Sequence, residues 1–121
     1  MNTTHPRPYL AVGDNAERMW WLGTDILEDH DRRVMATTVE HLNDRGRTIA
    51  LPPGATYQHR DDCGAIFNVD YMLEESPNEP GLPRAAEEGY SHSFVGLLQE
   101  AKRRSYAWIL FDRDIRTKER S

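Results

Sequence analysis

The hydrophobic pattern is clearest near the end of the chain, where it predicts an amphipathic helix from about His92. Its apolar residues recur at the i, i+3, i+4, i+7 spacing of one helix face: Phe94, Leu97, Leu98 and Ala101. Ser91 stands directly before this run and is a favoured residue type for a helix N-cap. Basic side chains fill the last turn, where the helix dipole favours cations: Lys102, Arg103 and Arg104.

Three strands are predicted, two in the middle of the chain and one near its end. Every residue from Ala107 to Phe111 is apolar, so this strand should be buried on both faces and lie inside a sheet. A second strand spans Thr48 to Leu51 and ends at Pro52, because proline cannot donate to a ladder. β-branched and aromatic residues predict a third strand from Ile66 to Tyr71. The Pro- and Glu-rich stretch 74–88 should be a surface loop.

The first part of the chain predicts a short strand followed by a helix. The strand spans Tyr9 to Val12, and Asp14 and Glu17 after it have the spacing of a capping box. A helix should therefore run from about Asn15 and pack on the sheet. Its apolar residues share one helix face: Met19, Trp20, Gly23, Ile26 and Leu27.

The segment from Asp31 to Gly46 permits two interpretations. Val34, Met35, Val39 and Leu42 could continue a helix as far as Gly46, which favours a left-handed helix end. The β-branched residues within the same segment favour a strand instead: Val34, Thr37, Thr38 and Val39. We favour the helix.

Together these elements predict one α+β domain over residues 1–121, in which a three- to four-stranded sheet packs against two or three helices. A length of 121 residues is typical of a single domain. Three Trp, five Tyr and three Phe supply large side chains for its core. Residues 1–7 and 115–121 should be flexible ends.

Charge is unevenly distributed along the chain, whose formal net charge is −5. From Lys102 onward there are seven basic and three acidic residues, whereas residues 1–101 hold eight basic and seventeen acidic ones. Most of the surface should therefore repel nucleic acid, which could bind only at the basic C-terminal end.

Several classes of protein and site are disfavoured by the remaining composition. The single cysteine, Cys63, cannot form an internal disulfide, and no apolar run approaches the length of a membrane span. We expect a cytoplasmic protein without membrane contact. His59 and Cys63 form the only close His/Cys pair, so we expect no zinc site and no other cofactor.

Asp112 and Asp114 directly follow the apolar strand near the end of the chain. A hydrophobic strand that ends in Asp-x-Asp resembles the haloacid-dehalogenase-type phosphohydrolases. In that family the first Asp is the nucleophile, the second is an acid, and Mg²⁺ lies between them. In that family the motif lies at the start of the fold, and a small residue with a hydroxyl stands four positions after the first Asp. This chain has Arg116 at the corresponding position. We therefore favour a strand end that is solvated or paired with Arg113 and Arg116.

A second resemblance covers more of the chain, through Gly64 to Val69, Ser93 to Ala101, and Trp108 to Asp114. This order of strand, acidic loop, helix and closing strand with Asp-x-Asp is similar to an uncharacterised family carried by plasmids and prophages, domain of unknown function 5983. The chain departs from the family after the carboxylates, where Ile115 and Arg116 replace a Gly-Pro segment. The resemblance implies a mobile-element setting and brings no established activity.

Two charged groups outside the Asp-x-Asp motif are candidate binding sites. The first is an acidic cluster with one imidazole at the end of the predicted first helix: Asp25, Glu28, Asp29, His30 and Asp31. Asp25 and Asp29 share a helix face and could hold a divalent ion, but we favour a solvated helix end. A basic strip with Tyr106 and Trp108 beside it could bind an anionic chain, or could simply be a charged tail: Arg103, Arg104, Arg113, Arg116, Lys118 and Arg120.

The leading hypothesis is a small non-catalytic protein of phage, plasmid or genomic-island origin. It would bind a host or mobile-element protein. The most specific form of this hypothesis is that the protein inhibits a nucleic-acid-targeting defence system through its acidic surface. The predicted binding residues are Asp112, Arg113, Asp114, Arg116, Trp21, Asp25, Glu28 and Asp29. The alternative is a metal-dependent phosphoester hydrolase that uses Asp112 and Asp114. The sequence leaves the oligomeric state open.

Overall fold

The computed structural model describes residues 18–42, 45–59 and 64–117, with the side chain of His59 excluded. These residues form a small α+β domain, as predicted. The predicted strand Tyr9 to Val12, the capping box of Asp14, and Cys63 lie outside them. The elements in chain order are β1 (Met19–Gly23), a 3₁₀ turn (Thr24–Ile26), α1 (Asp29–Ala36), β2 (Val39–Leu42), β3 (Thr48–Leu51), β4 (Tyr57–His59), β5 (Gly64–Asn68), α2 (Val69–Leu73), α3 (Arg84–Glu87), α4 (His92–Arg103) and β6 (Trp108–Asp112).

The main sheet has four strands in the order β1-β6-β5-β4. β6 pairs in parallel with β1 on one side and antiparallel with β5 on the other, which confirms its predicted interior position. β4 forms the edge next to β5. No described helix is both long and apolar enough to cross a membrane.

β2 and β3 form a separate antiparallel pair outside the main sheet. The predicted strand Thr48 to Leu51 is therefore confirmed, but it does not join the sheet that contains β6. The helix that we favoured for Asp31 to Gly46 is wrong over residues 39–42, because α1 ends at Ala36 and Val39–Leu42 form β2. The β-branched residues favoured the strand correctly at Val39, whereas Val34 lies in α1.

The predicted helix from about Asn15 is wrong over residues 19–23, which form β1. Trp20 and Leu22 face the helices, whereas Met19 and Trp21 belong to a cluster on the other face of the sheet. A continuous apolar run is compatible with a buried strand as well as with a helix. The parallel pairing with β6 decides between them, and it depends on residues far along the chain.

The predicted strand Ile66 to Tyr71 is wrong in its second half, because β5 ends at Asn68 and α2 begins at Val69. The Asn68 side chain accepts a hydrogen bond from the Tyr71 amide at 2.8 Å, which satisfies one of the unpaired amides of the first helical turn. The predicted loop 74–88 also contains the short helix α3.

The core on the helix side of the sheet is built around aromatic rings from β5, α4 and β6. Phe67 lies at its centre, with ring centroids 5.5 Å from Phe94 and 5.8 Å from Phe111. All three side chains are fully buried. Tyr90 stacks on Phe94 at 4.0 Å and donates its hydroxyl to the Pro53 carbonyl at 2.7 Å. Burial raises the pKa of the Tyr90 phenol well above its usual value.

α4 begins and ends as its sequence predicts. Ser91 Oγ accepts a hydrogen bond from the Phe94 amide at 3.2 Å and caps the helix. In the last turn, the Glu100 carboxylate accepts hydrogen bonds from Arg103 and Arg104. These bonds lower the pKa of Glu100 to about 2.

Candidate functional site

The carboxyl ends of the parallel strands β1 and β6 meet at one edge of the sheet, where Gly23 pairs with Asp112. We call residues 23–25 and 112–117 the carboxyl rim. Such edges are where open α/β sheets gather ligands. Five of the predicted binding residues lie in this rim: Asp25, Asp112, Arg113, Asp114 and Arg116.

Asp112 shapes the turn that follows β6. Its side chain is almost fully buried, at 4% exposed, and Oδ1 accepts a hydrogen bond from the Asp114 amide at 2.8 Å. The Asp112 carbonyl accepts from the Ile115 amide at 3.1 Å. Arg116 Nη1 donates to the Arg113 carbonyl at 2.8 Å. The turn is thus closed by bonds within itself, from both backbone and side chains, and Arg113, Asp114 and Arg116 are exposed on it.

Asp25 and Thr117 fasten this turn to the end of β1. Asp25 Oδ1 accepts a hydrogen bond from the Thr117 amide at 3.1 Å, and the Gly23 amide donates to Thr117 Oγ1 at 2.5 Å. Residues 115–117, which we expected to belong to a flexible end, are therefore bonded to the sheet edge. Asp25 and Asp112 are far apart in the sequence, and the parallel pairing of β1 with β6 brings them to the same edge of the sheet.

Gly23→Ala should disrupt the carboxyl rim. A Cβ at this position would lie 2.0 Å from the Ile115 carbonyl oxygen, which is backbone and cannot rotate away. We expect the free energy of unfolding to fall by about 1 to 3 kcal/mol, the usual cost of overpacking. Urea unfolding measures this loss, and amide NMR shifts at Asp114 and Thr117 report the displaced turn.

Gly96→Ala is the matched control for that variant. Gly96 is exposed in the middle of α4, and a Cβ there meets nothing within 4 Å. The substitution should raise the free energy of unfolding by about 0.5 to 1 kcal/mol, because alanine loses less backbone entropy in a helix. If the two substitutions changed the free energy of unfolding equally, the close approach at Gly23 would be contradicted.

The remaining predicted binding residues lie outside the carboxyl rim. Glu28 accepts a hydrogen bond from the Ser93 hydroxyl at the start of α4, and Asp29 forms an ion pair with Arg32 within α1. Both acids are exposed. Trp21 is half-buried on the face of the sheet opposite the helices, beside Met19, Ile66 and Leu110.

The structure also bears on the candidate metal and nucleic-acid sites. Within residues 18–42, 45–59 and 64–117, no group of three or more His, Cys, Asp or Glu is arranged to hold a metal ion. The hydrolase hypothesis stays a prediction, which calorimetric titration with Mg²⁺ can test against Asp112→Asn. Of the predicted basic strip, Arg103 and Arg104 lie at the end of α4 before β6, and Arg113 and Arg116 lie in the turn after it. Lys118 and Arg120 lie outside the described residues.

A further acidic surface lies on residues 69–88, where the sequence predicted the end of a strand followed by a surface loop. We call these residues, which include α2 and α3, the acidic unit. It contains one basic residue, Arg84, and six acidic ones: Asp70, Glu74, Glu75, Glu79, Glu87 and Glu88. Two large apolar side chains are exposed among them, Tyr71 at 43% and Leu82 at 41%.

Internal hydrogen bonds hold the acidic unit in one shape. Ser76 is 2% exposed; its amide donates to the Leu82 carbonyl at 2.8 Å and its hydroxyl donates to the Glu87 carboxylate. Hydrogen bonds from Ser76 and Asn78 lower the pKa of Glu87. The Arg84 amide donates to the Glu74 carbonyl at 2.7 Å, which brings the two ends of the loop together. The exposed tip between them resembles a compact Ω-loop.

Arg84 also fixes the exposed ring of Tyr71. Its guanidinium lies 4.2 Å from the ring centroid and donates to Glu74 Oε1 at 2.9 Å. The hydrogen bond to Glu74 raises the pKa of Arg84. In the sequence, the signal for this surface was the density of Glu residues around three prolines. That density predicts an exposed loop, but the contacts that order the loop are not visible in it.

The chain matches no protein-family model, no curated protein and no solved structure. The resemblance to domain of unknown function 5983 therefore stays a prediction.

Proposed function

We propose that this is a non-catalytic binding protein whose acidic unit engages a protein partner with a basic surface. The observation that carries the proposal is the exposure of Tyr71 and Leu82 among the acidic side chains of residues 69–88. Protein interfaces commonly place aromatic and aliphatic anchors at the centre and charged groups at the rim.

The rigidity of the acidic unit supports this proposal. The bonds of Ser76 and Arg84 order the loop before a partner arrives. A preorganised surface loses less conformational entropy on binding than a flexible one. The acidic charge favours association with a positively charged partner and increases its rate at low salt.

The most specific form of the proposal is an inhibitor of a host nucleic-acid-targeting defence system. A protein that binds DNA or RNA presents a basic surface, which an acidic unit can occupy in place of the phosphate backbone. The mobile-element origin implied by the family resemblance supports this form. The carboxyl rim, with exposed Arg113, Asp114 and Arg116, is the second surface we propose for such a partner.

Capture of partners from a host lysate on the immobilised full chain tests the proposal. Glu79→Lys combined with Leu82→Ser should reduce the captured partner at least about tenfold, because it reverses one charge and removes one apolar anchor. Capture should also weaken as the salt concentration rises.

Glu40→Lys is the control, since Glu40 is an exposed acid on β2, outside the acidic unit. It makes the same charge change and should leave capture intact. The proposal fails if the double variant captures the same proteins in the same amounts. The inhibitor form fails separately if added nucleic acid does not compete with this protein for the captured partner.

A further inference from the structure

A recess of about 510 Å³ lies beside the carboxyl rim. Its walls come from the 3₁₀ turn, α1, β3, β4, β5 and the turn after β6. The volume is in the range of small-molecule binding sites. Its lining includes small residues such as Ala36 and Ala50. The recess is separate from the acidic unit.

The two charged residues among the described lining are both arginines, Arg32 and Arg113. They stand on different elements, α1 and the turn after β6. Thr24 and Gln58 add a hydroxyl and an amide to the same walls. Guanidinium groups suit carboxylate and phosphate, with which they form paired, charge-assisted hydrogen bonds. The chain is acidic as a whole, yet no acidic residue is among the described residues that line the recess.

Arg32 is oriented before any ligand arrives. Its Nη1 donates to the Leu27 carbonyl at 2.6 Å and to the Thr24 carbonyl at 3.1 Å, and Nη2 donates to Asp29. A guanidinium has five N–H groups, so two of them lie outside these three bonds. A guanidinium held in this way loses little side-chain entropy when it binds an anion.

We propose that this recess binds a small organic anion that combines a phosphate or carboxylate group with an apolar body. The anionic group lies between Arg32 and Arg113, and the apolar body lies against Met35, Ala50 and Pro52. The location agrees with the general position of ligands at the carboxyl ends of parallel strands, here β1 and β6. This site is separate from the acidic unit, but it shares Arg113 with the carboxyl rim, the second surface proposed for the protein partner.

Titration of the ¹⁵N-labelled full chain with phenyl phosphate tests the proposal by NMR. Saturable shifts are expected at the amides of Thr24, Gln58 and Arg113. Benzyl alcohol, which keeps the apolar ring but has no charge, should bind at least about tenfold more weakly, because it cannot form charge-assisted hydrogen bonds.

Two variants and one control locate the binding. Arg113→Gln should weaken phenyl phosphate binding about tenfold. Ala50→Leu should abolish it by filling the recess, and it provides a second test if Arg113→Gln disturbs the turn. Arg33→Gln should bind like the native chain, because Arg33 is an exposed neighbour on α1 that does not line the recess.

The inference is overturned if phenyl phosphate produces no saturable shifts, or if the shifts map to another surface. Equal affinity for benzyl alcohol would reject the anionic class of ligand. Unchanged binding in both Arg113→Gln and Ala50→Leu would reject the recess as the site.

Discussion

Replacing Phe67 with alanine is expected to lower the free energy of unfolding by about 3 to 5 kcal/mol, the range for truncating a buried aromatic ring. Phe67 is fully buried, and its ring centroid lies 5.5 to 5.9 Å from those of Phe94, Phe111 and Tyr90. These partners lie in α4, in β6 and directly before α4, so the cavity would open between the sheet and α4. A small domain has a total stability of only about 5 to 15 kcal/mol.

Urea unfolding followed by tryptophan fluorescence measures this loss. Leu82→Ala is the control, because Leu82 is a large apolar residue exposed on the acidic unit. It should change the free energy of unfolding by no more than about 0.5 kcal/mol. Similar losses in the two variants would mean that the ring cluster around Phe67 is not the centre of the core.

The elements that sequence reasoning predicted correctly are those whose determinants lie within the segment itself. α4 carries its cap, Ser91, and its apolar face in one stretch of chain. β6 is apolar at every position but its last, and both of its faces are indeed buried. No distant residue was needed to interpret either pattern.

The errors have two causes: a distant partner or a single polar side chain decides the local structure. Residues 19–23 have an apolar pattern that fits a helix, and only their pairing with β6 makes them a strand. The end of β5 depends on one polar side chain, since Asn68 could continue the strand but caps α2 instead.

The same limit applies to the candidate sites. The adjacency of Asp112 and Asp114 is visible in the sequence, but the approach of Asp25 follows from the parallel pairing of β1 and β6. Having predicted a helix for residues 19–23, we had no basis for placing Asp25 beside Thr117. The acidic unit was visible as composition, whereas its fixed shape depends on the bonds of Ser76 and Arg84.

Replacing Asp31 with alanine should have the second large effect, a loss of about 3 to 6 kcal/mol in the free energy of unfolding, because it removes two hydrogen bonds to a charged group. Asp31 is fully buried; Oδ1 accepts from the Ser91 amide at 2.8 Å and Oδ2 accepts from the Ser91 hydroxyl at 2.6 Å. Ser91 in turn caps α4 through the Phe94 amide. One carboxylate thus joins α1 to the start of α4, where the helix dipole favours a negative charge.

Each hydrogen bond to a charged group contributes about 1.5 to 3 kcal/mol, and alanine would also leave the Ser91 amide without its acceptor. Asp31→Asn should fall between the native chain and Asp31→Ala, because its side-chain amide keeps only one of the two acceptor oxygens. Asp29→Ala is the control on the same helix: its side chain is 78% exposed, so loss of its ion pair with Arg32 should cost at most about 1 kcal/mol. Urea unfolding of the three variants gives the order. If Asp31→Ala were as mild as Asp29→Ala, the buried carboxylate would not be what joins α1 to α4.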